Sequence, residues 1–237
     1  MTEATLRGLS PQRVDELTIR VLRRAWRARP EVRLIELDGR RAVVKDYGRG
    51  GTCFKRLVGG FLARREAIAL RRAAGIPNIP RLLAMPSACS LVTEYLPAEQ
   101  VTGLDDPQLD GEFFDRLTQM VDALHERGIA HGDLEKLDNV LITPAGEPAL
   151  VDFGAAIMAG SNPAVALVLP YVQQSDFRGI YKLKEQYAPD LLTEAERHFL
   201  HNRPGAEKLF RRLRGYVRNP VKALSSRAAG RPPGTDQ

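Results

Sequence analysis

Long hydrophobic runs are missing from this 237-residue chain. The longest apolar stretch of note, Ala164 to Leu169 before Pro170, falls far short of the roughly 20 residues that a membrane-spanning helix needs. No apolar run marks the N-terminus, so no secretory signal is expected. The two cysteines, Cys53 and Cys89, are too few for a disulfide framework, and nothing suggests oxidising surroundings. Upstream of Leu34 the only glycine is Gly8, and no internal repeat appears. What is present is ordinary for a globular chain: 43% hydrophobic and 27% charged residues exclude wholesale disorder and collagen-like sequence. These features make a cytoplasmic location the expectation, and at roughly 150 residues per domain the length predicts one domain, with room for two lobes.

The net charge of +6 is unevenly placed. Residues 1–29 hold seven arginines against three acids, and residues 203–237 hold nine basic residues against Glu207 and Asp236. The remaining 173 residues are mildly acidic, with 19 basic against 24 acidic side chains. A working body with basic flanks that meet something anionic is the expectation.

Ser10-Pro11 makes a cap and first turn for a helix predicted to run to about Arg29, with Val14, Leu17, Val21, Leu22, Ala25 and Trp26 at helical spacing. The period then changes. Residues 32–37 and 41–45 read as strands joined by the hairpin signal Asp38-Gly39. A helix is predicted over roughly Phe61 to Ala74, closed by Gly75, followed by strands near 81–84 and 90–95. Beyond Pro97 the pattern is mainly helical: an amphipathic helix from Phe113 to Leu124, a hairpin over Val140–Phe153, and helices near 175–186, 193–202 and 207–218. A strand-rich first half and a helix-rich second half predict an α+β architecture of two lobes with a cleft between them.

The chemistry concentrates in His131-Gly132-Asp133-Leu134-Glu135-Lys136-Leu137-Asp138-Asn139-Val140-Leu141-Ile142 and in Val151-Asp152-Phe153-Gly154. Asp133 and Asn139 lie in a loop that opens one strand of the second hairpin, and Asp152 ends the other, so the three side chains can converge. Such oxygen ligands suit Mg²⁺, which binds through one or two carboxylates plus substrate phosphates. A further carboxylate can then accept a proton from an attacking hydroxyl. In the first half, Lys45 ends the apolar strand Ala42-Val43-Val44. Leu62, Glu66, Ala69 and Ala73 share one face of the following helix, so Glu66 lies inward and needs a partner, unless it sits at a solvated rim.

These segments resemble the protein-kinase-like superfamily, across roughly residues 32–155 and in the same order: lysine strand, glutamate helix, hinge, catalytic loop, metal aspartate. The resemblance implies a reduced bilobal kinase fold that uses ATP and Mg²⁺. It implies Asp133 as catalytic base, Asn139 and Asp152 as metal ligands, His131 as a structural loop residue, and Lys45 paired with Glu66 at the phosphates. Val92-Thr93-Glu94-Tyr95-Leu96-Pro97 resembles the hinge, where the backbone of Glu94 and Leu96 would contact adenine. The expected segments are a basic amphipathic helix at 1–30, a first lobe at 31–96, a second at 97–203, and a basic amphipathic helix with a tail at 204–237.

Three departures stand out. Asn139 is six residues after Asp133, where His-Arg-Asp-Leu-x-x-x-Asn has five, so Asp138 is open to sharing the role. Gly132 replaces the arginine that pairs with a phosphorylated activation loop, so such control is not expected, and no Ala-Pro-Glu segment follows. No glycine-rich loop precedes Lys45; Arg49 with Gly48, Gly50 and Gly51 is one candidate for phosphate contact, and a simple surface turn is another. The pattern is more similar to RIO-type kinases and to bacterial lipopolysaccharide-core (Kdo/heptose) sugar kinases. The latter carry an Arg-Gly-Gly segment after the lysine strand, as Tyr47-Gly48-Arg49-Gly50-Gly51 does here. Asp176-Phe177-Arg178 and Tyr181-Lys182-Leu183-Lys184 resemble a helix that follows in both.

The acceptor implied is a lipopolysaccharide-core or lipid-linked sugar, with a protein serine or threonine as the alternative and an inactive scaffold as the third reading. Leu209, Phe210, Leu213, Tyr216 and Val217 alternate with basic residues, a pattern that fits peripheral contact with an anionic inner membrane or packing on the second lobe. No aromatic-studded basic motif points to nucleic acid.

Overall fold

In the computed structural model, the described residues are 8–26, 29–49, 53–105, 107, 109–160 and 162–202. The predicted helix at 207–218 and the basic tail lie outside them.

Ser10 accepts the Arg13 amide and Pro11 opens helix α1, Pro11–Glu16. The helix stops there rather than near Arg29. The Thr18 hydroxyl takes the Val14 carbonyl at 2.7 Å, and Glu36 donates its amide to Leu17, so the backbone leaves the helix for a sheet. Thr18–Arg23 is strand β1. The sequence Thr-Ile-Arg-Val is rich in β-branched residues, which favour the pleated backbone. Val21, Leu22 and Trp26, placed on a buried helix face by their spacing, are exposed instead. The predicted first segment, residues 1–30, is therefore a one-turn-and-a-half helix and an edge strand among its described residues.

Strands β2 (Glu31–Leu37) and β3 (Arg40–Asp46) form the expected hairpin, with Asp38 and Gly39 both at positive φ. Helix α2, Cys53–Arg72, begins eight residues before its predicted start. Strands β4 (Leu82–Ser87) and β5 (Ser90–Glu94) complete a five-stranded antiparallel sheet in the order β1-β2-β3-β5-β4. Its two faces are separate environments. Ile35, Leu37, Ala42, Val44 and Val92 pack with Leu9 and Val14 under α1. Lys45 and Leu91 look the other way, towards α2 and the second lobe.

The second lobe begins with the short strand β6 (Glu99–Gln100) and helix α3, Gly111–Glu126, capped by Asp110. Six apolar residues of α3, from Phe113 to Leu124, are buried. The strand pair β7 (Ile129–Ala130) and β10 (Ile157–Met158) and the strands β8 (Val140–Ile142) and β9 (Pro148–Leu150) frame the loops that carry the motif residues. Helix α4 runs from Pro163 to Tyr187, twelve residues longer at its start than the 175–186 expected. Pro170 inside it leaves the Ala166 carbonyl without its usual donor, and both residues are exposed to water. Helix α5, Glu194–His201, starts from a Thr193–Glu196 capping box. No helix among the described residues is long and apolar enough to cross a membrane.

Candidate active site

Lys45 stands on the inner face of β3 and Glu66 on the inward face of α2. The Lys45 ammonium donates to Glu66 Oε1 at 2.5 Å and to Asp152 Oδ1 at 2.8 Å. Glu66 is 1% exposed, and its other oxygen accepts the Tyr47 hydroxyl at 2.6 Å. The inward glutamate thus has two donors, and the solvated-rim alternative does not hold. Burial alone disfavours the Lys45 ammonium, but the Asp152 and Glu66 carboxylates outweigh it and hold its pKa above that of an ordinary lysine. Lys45 in turn, against the opposing effect of burial, holds the Asp152 carboxyl well below the usual range, helped by the charges of Arg23 and His131. Burial, then Glu66, pushes the Tyr47 phenol up, so it remains a donor. An ammonium has three hydrogens; two meet carboxylates, which leaves one for an incoming anion.

Asp152 sits at φ 67°, a left-handed conformation that costs a non-glycine residue about 1–2 kcal/mol. The turn throws its side chain towards Lys45 while Phe153 goes into the core, fully buried against the His131 ring. Arg65 of α2 donates to the Gly154 carbonyl and ties the same turn to the first lobe.

The segment 131–139 is held from below by α4. Asp176 is fully buried, and its two oxygens accept the His131 and Gly132 amides, each at 2.8 Å. His125 Nε2 lies 3.1 Å from the same carboxylate. Ser175 bonds Glu135 at 2.7 Å, and Lys182 reaches the Glu135 carbonyl. The departure at Gly132 has a steric cause. Its φ is +76°, and a Cβ there would lie 2.8 Å from the Ala155 carbonyl oxygen. His131 donates from Nε2 to the Val151 carbonyl at 3.0 Å, as a structural loop residue should.

Asp133 is nearly buried and accepts from Lys136 Nζ at 2.6 Å. Asn139 is buried and donates its amide nitrogen to the Asp133 carbonyl, which turns its Oδ1 away from that bond as an acceptor. Asp138 is exposed and accepts from the Thr102 hydroxyl at 2.9 Å, so the aspartate that spacing left open is engaged elsewhere. Glu94 ends β5, with its amide on the Arg81 carbonyl and its carboxylate on the Arg81 side chain. The Leu96 carbonyl accepts from Ala98, whereas its amide makes no backbone bond among the described residues.

Asp152 and Asn139 supply one carboxylate and one amide oxygen. Among the described residues no three His, Cys, Asp or Glu side chains gather as a closed metal site. A donor set of two hard oxygens fits Mg²⁺ only if substrate phosphates complete the shell, which is how that ion usually binds. Arg49 is not near this cluster's partners: its guanidinium pairs with Asp15 at 2.6 Å and Glu31 at 3.1 Å beside buried Arg33, on the α1 side of the sheet. Asp15 and Glu31 thus engage Arg49 on that side, and Gly50 and Gly51, considered with it for phosphate contact, lie outside the described residues.

Sequence reasoning missed Tyr47 and Lys136 and saw Asp176 only as a weak likeness. Spacing marks neither Tyr47 nor Lys136. For Asp176, an acid among the apolar positions of a helix was the available signal.

A five-stranded antiparallel lobe, a helical lobe and this cleft define the protein-kinase-like fold. No protein-family model matches the chain. Among solved structures it is similar to the Rio2 kinase of Chaetomium thermophilum, described as an ADP/Mg²⁺-phosphoaspartate complex, with a TM-score of 0.58 at 16% identity over 95% of this chain and 76% of that one. A second structure of that Rio2 kinase gives 0.59 at 15% identity, covering 95% and 77%. Among curated proteins it is similar to the serine/threonine-protein kinase greatwall of Gallus gallus, 32% identical over 122 residues, and of Canis lupus familiaris, 30% identical over 150. These alignments cover 49% and 61% of this chain but only 14% and 17% of the relatives.

Proposed function

We propose that the chain is an ATP- and Mg²⁺-dependent phosphotransferase that moves the γ-phosphate of ATP to a hydroxyl acceptor. The observation that carries this reading is the junction of Lys45 with Glu66 and Asp152, next to a loop whose Asp133 and Asn139 are buried and whose Asn139 carbonyl accepts the Val151 amide. In this reading Lys45, fixed by Asp152 and by the Glu66 that Tyr47 holds, turns its third hydrogen to the nucleotide phosphates. The backbone at Glu94 and Leu96 meets adenine. Asp152 and Asn139 would hold Mg²⁺, which when bound neutralises charge developing on the phosphate oxygens. Asp133 accepts the proton of the acceptor hydroxyl, while Lys136 orients its carboxylate.

For the acceptor, the His-Gly-Asp-Leu loop and the Arg-Gly-Gly segment support a lipopolysaccharide-core sugar at the cytoplasmic face of the membrane. The likeness to Rio2 and greatwall kinases supports a protein serine or threonine as the second reading. The test offers radiolabelled ATP and Mg²⁺ with purified core-sugar acceptors and, separately, with cell-extract proteins. Label confined to sugar selects the first acceptor and label confined to protein the second. Label in neither, with no ATP turnover, overturns the phosphotransferase reading.

A further inference from the structure

A kinase-like cleft needs something over the nucleotide phosphates. A glycine-rich turn would bring main-chain amides there, but the β1–β2 turn, residues 24–30, contains no glycine. The register of the sheet places a side chain instead. Arg23 pairs with Val32, Val32 with Lys45 and Lys45 with Leu91, so the four form one cross-strand row. Directly opposed residues of antiparallel strands share a face. Arg23 therefore emerges on the face from which Lys45 reaches Glu66 and Asp152. Two strand spacings, about 9.6 Å, separate it from Lys45, a gap that an arginine and a lysine close from opposite sides onto one phosphate group.

The pairing depends on an irregularity. Val21 opposes Arg33, so an even ladder would set Leu22 against Val32; the register slips between Val21 and Arg23 and sets Arg23 there. Bulges next to functional sites commonly re-aim a side chain in this way. The Arg23 side chain is exposed, and no side-chain hydrogen bond or ion pair joins it to another described residue. Its neighbours differ. Arg33 and Arg49 face the α1 side with Asp15 and Glu31, and Arg24 lines the same polar cavity as they do.

We propose that Arg23 is a phosphate-binding residue: its guanidinium grips nucleotide phosphate oxygens opposite Lys45, in place of the main-chain amides of a glycine loop. The planar fork of arginine suits such oxygens. The assignment rests on the nucleotide reading of the cleft, and it names the residue that would discriminate a nucleotide from its nucleoside.

Binding of MgADP and of adenosine to the 237-residue chain by titration calorimetry separates the two. Arg23→Gln is expected to weaken MgADP by about tenfold or more, the scale of one lost charge-assisted hydrogen bond, and to change adenosine less than twofold. Arg24→Gln, on the opposite side of the hairpin, is expected to leave both unchanged. Unchanged MgADP affinity in Arg23→Gln, or an equal loss in Arg24→Gln, overturns the assignment and leaves the nucleotide reading standing. If the unaltered chain binds neither MgADP nor adenosine, the cleft is not a nucleotide site and the assignment falls with it.

Discussion

Asp176 accepts the Gly132 amide at 2.8 Å from inside the second lobe, so the floor of the cleft is fixed by a helical side chain 44 residues further along the sequence. With the His131 amide on the other oxygen, one buried carboxylate satisfies two donors that the tight loop could not otherwise pair. Asp176→Asn keeps one acceptor but turns an NH₂ towards the second amide. Loss of a buried charged hydrogen bond costs about 1.5–3 kcal/mol, or roughly 3–12 °C in Tm for a chain of this size. Thermal unfolding should show that drop, and phosphotransfer should fall in kcat with little change in the KM for ATP, because the loop is not expected to touch adenine. An unaltered kcat in a variant with lowered Tm would make Asp176 structural only.

Gly179 makes the same contact close. A Cβ at this position would lie 2.6 Å from the Leu134 carbonyl carbon, a backbone atom that cannot swing aside. Gly179→Ala must push α4 away from the loop, and overpacking of this kind costs about 1–3 kcal/mol. Because Asp176 rides on the same helix face, activity should fall more than stability does. Urea denaturation and initial rates on one preparation measure both.

The parts of this arrangement that sequence makes legible are those set by local chemistry. Asp38-Gly39 needs no tertiary context to turn a hairpin, and the inward position of Glu66 follows from its place among Leu62, Ala69 and Ala73. What escaped is what distance decides. Residues 18–23 match a helical face by spacing, yet backbone partners on β2 win them for the sheet. Pro170 argues for a helix that begins after it, but an exposed carbonyl can be left to water, so α4 runs through. Asp176 shows only as an acid among apolar helix positions until 131–132 folds over it, and Arg49 near a glycine turn gives no sign that Asp15 and Glu31 will claim it.

Lys45 carries a prediction about pH. The folded pKa of Asp152 is depressed, so its contribution to stability is present above the unfolded value of about 3.9 and is lost as pH falls through the folded one. The folded pKa of Lys45 is raised, so its contribution is present below about 10.4 and is lost as pH climbs through the folded value. Between about pH 4 and 10 the cluster's contribution is flat. Lys45→Met leaves buried Glu66 with Tyr47 alone. Removing one partner of a buried pair costs about 3–5 kcal/mol, so this substitution lowers stability as well as activity. The gap in unfolding free energy between the two proteins should be widest on that plateau and narrow below pH 4, measured by urea denaturation across pH.

Lys136 touches Asp133 but is half exposed, and surface pairs contribute only about 0–1 kcal/mol. Lys136→Met should therefore unfold almost as the parent does. Phosphotransfer should drop about tenfold, the scale of one charge-assisted hydrogen bond lost at the reacting group. Asp133→Asn, which removes the proposed base, should drop it about 10²–10⁴-fold. Equal rates for Lys136→Met and the parent would confine Lys136 to a surface pair.

Asp138 and Asn139 differ in sequence by one position and in the folded protein by environment. Asp138 faces solvent beside Thr102, and its carboxylate is held there. Asn139 is buried, and its amide nitrogen is fixed by the Asp133 carbonyl, which orients its oxygen. If Asn139 is the cation ligand, Asn139→Ala should raise the Mg²⁺ concentration needed for half-maximal phosphotransfer and Asp138→Asn should not. A titration of rate against Mg²⁺ at saturating ATP distinguishes them. The outcome that would reverse the assignment is a Mg²⁺ requirement shifted by Asp138→Asn alone, since the added residue between Asp133 and Asn139 would then have moved the ligand to the carboxylate.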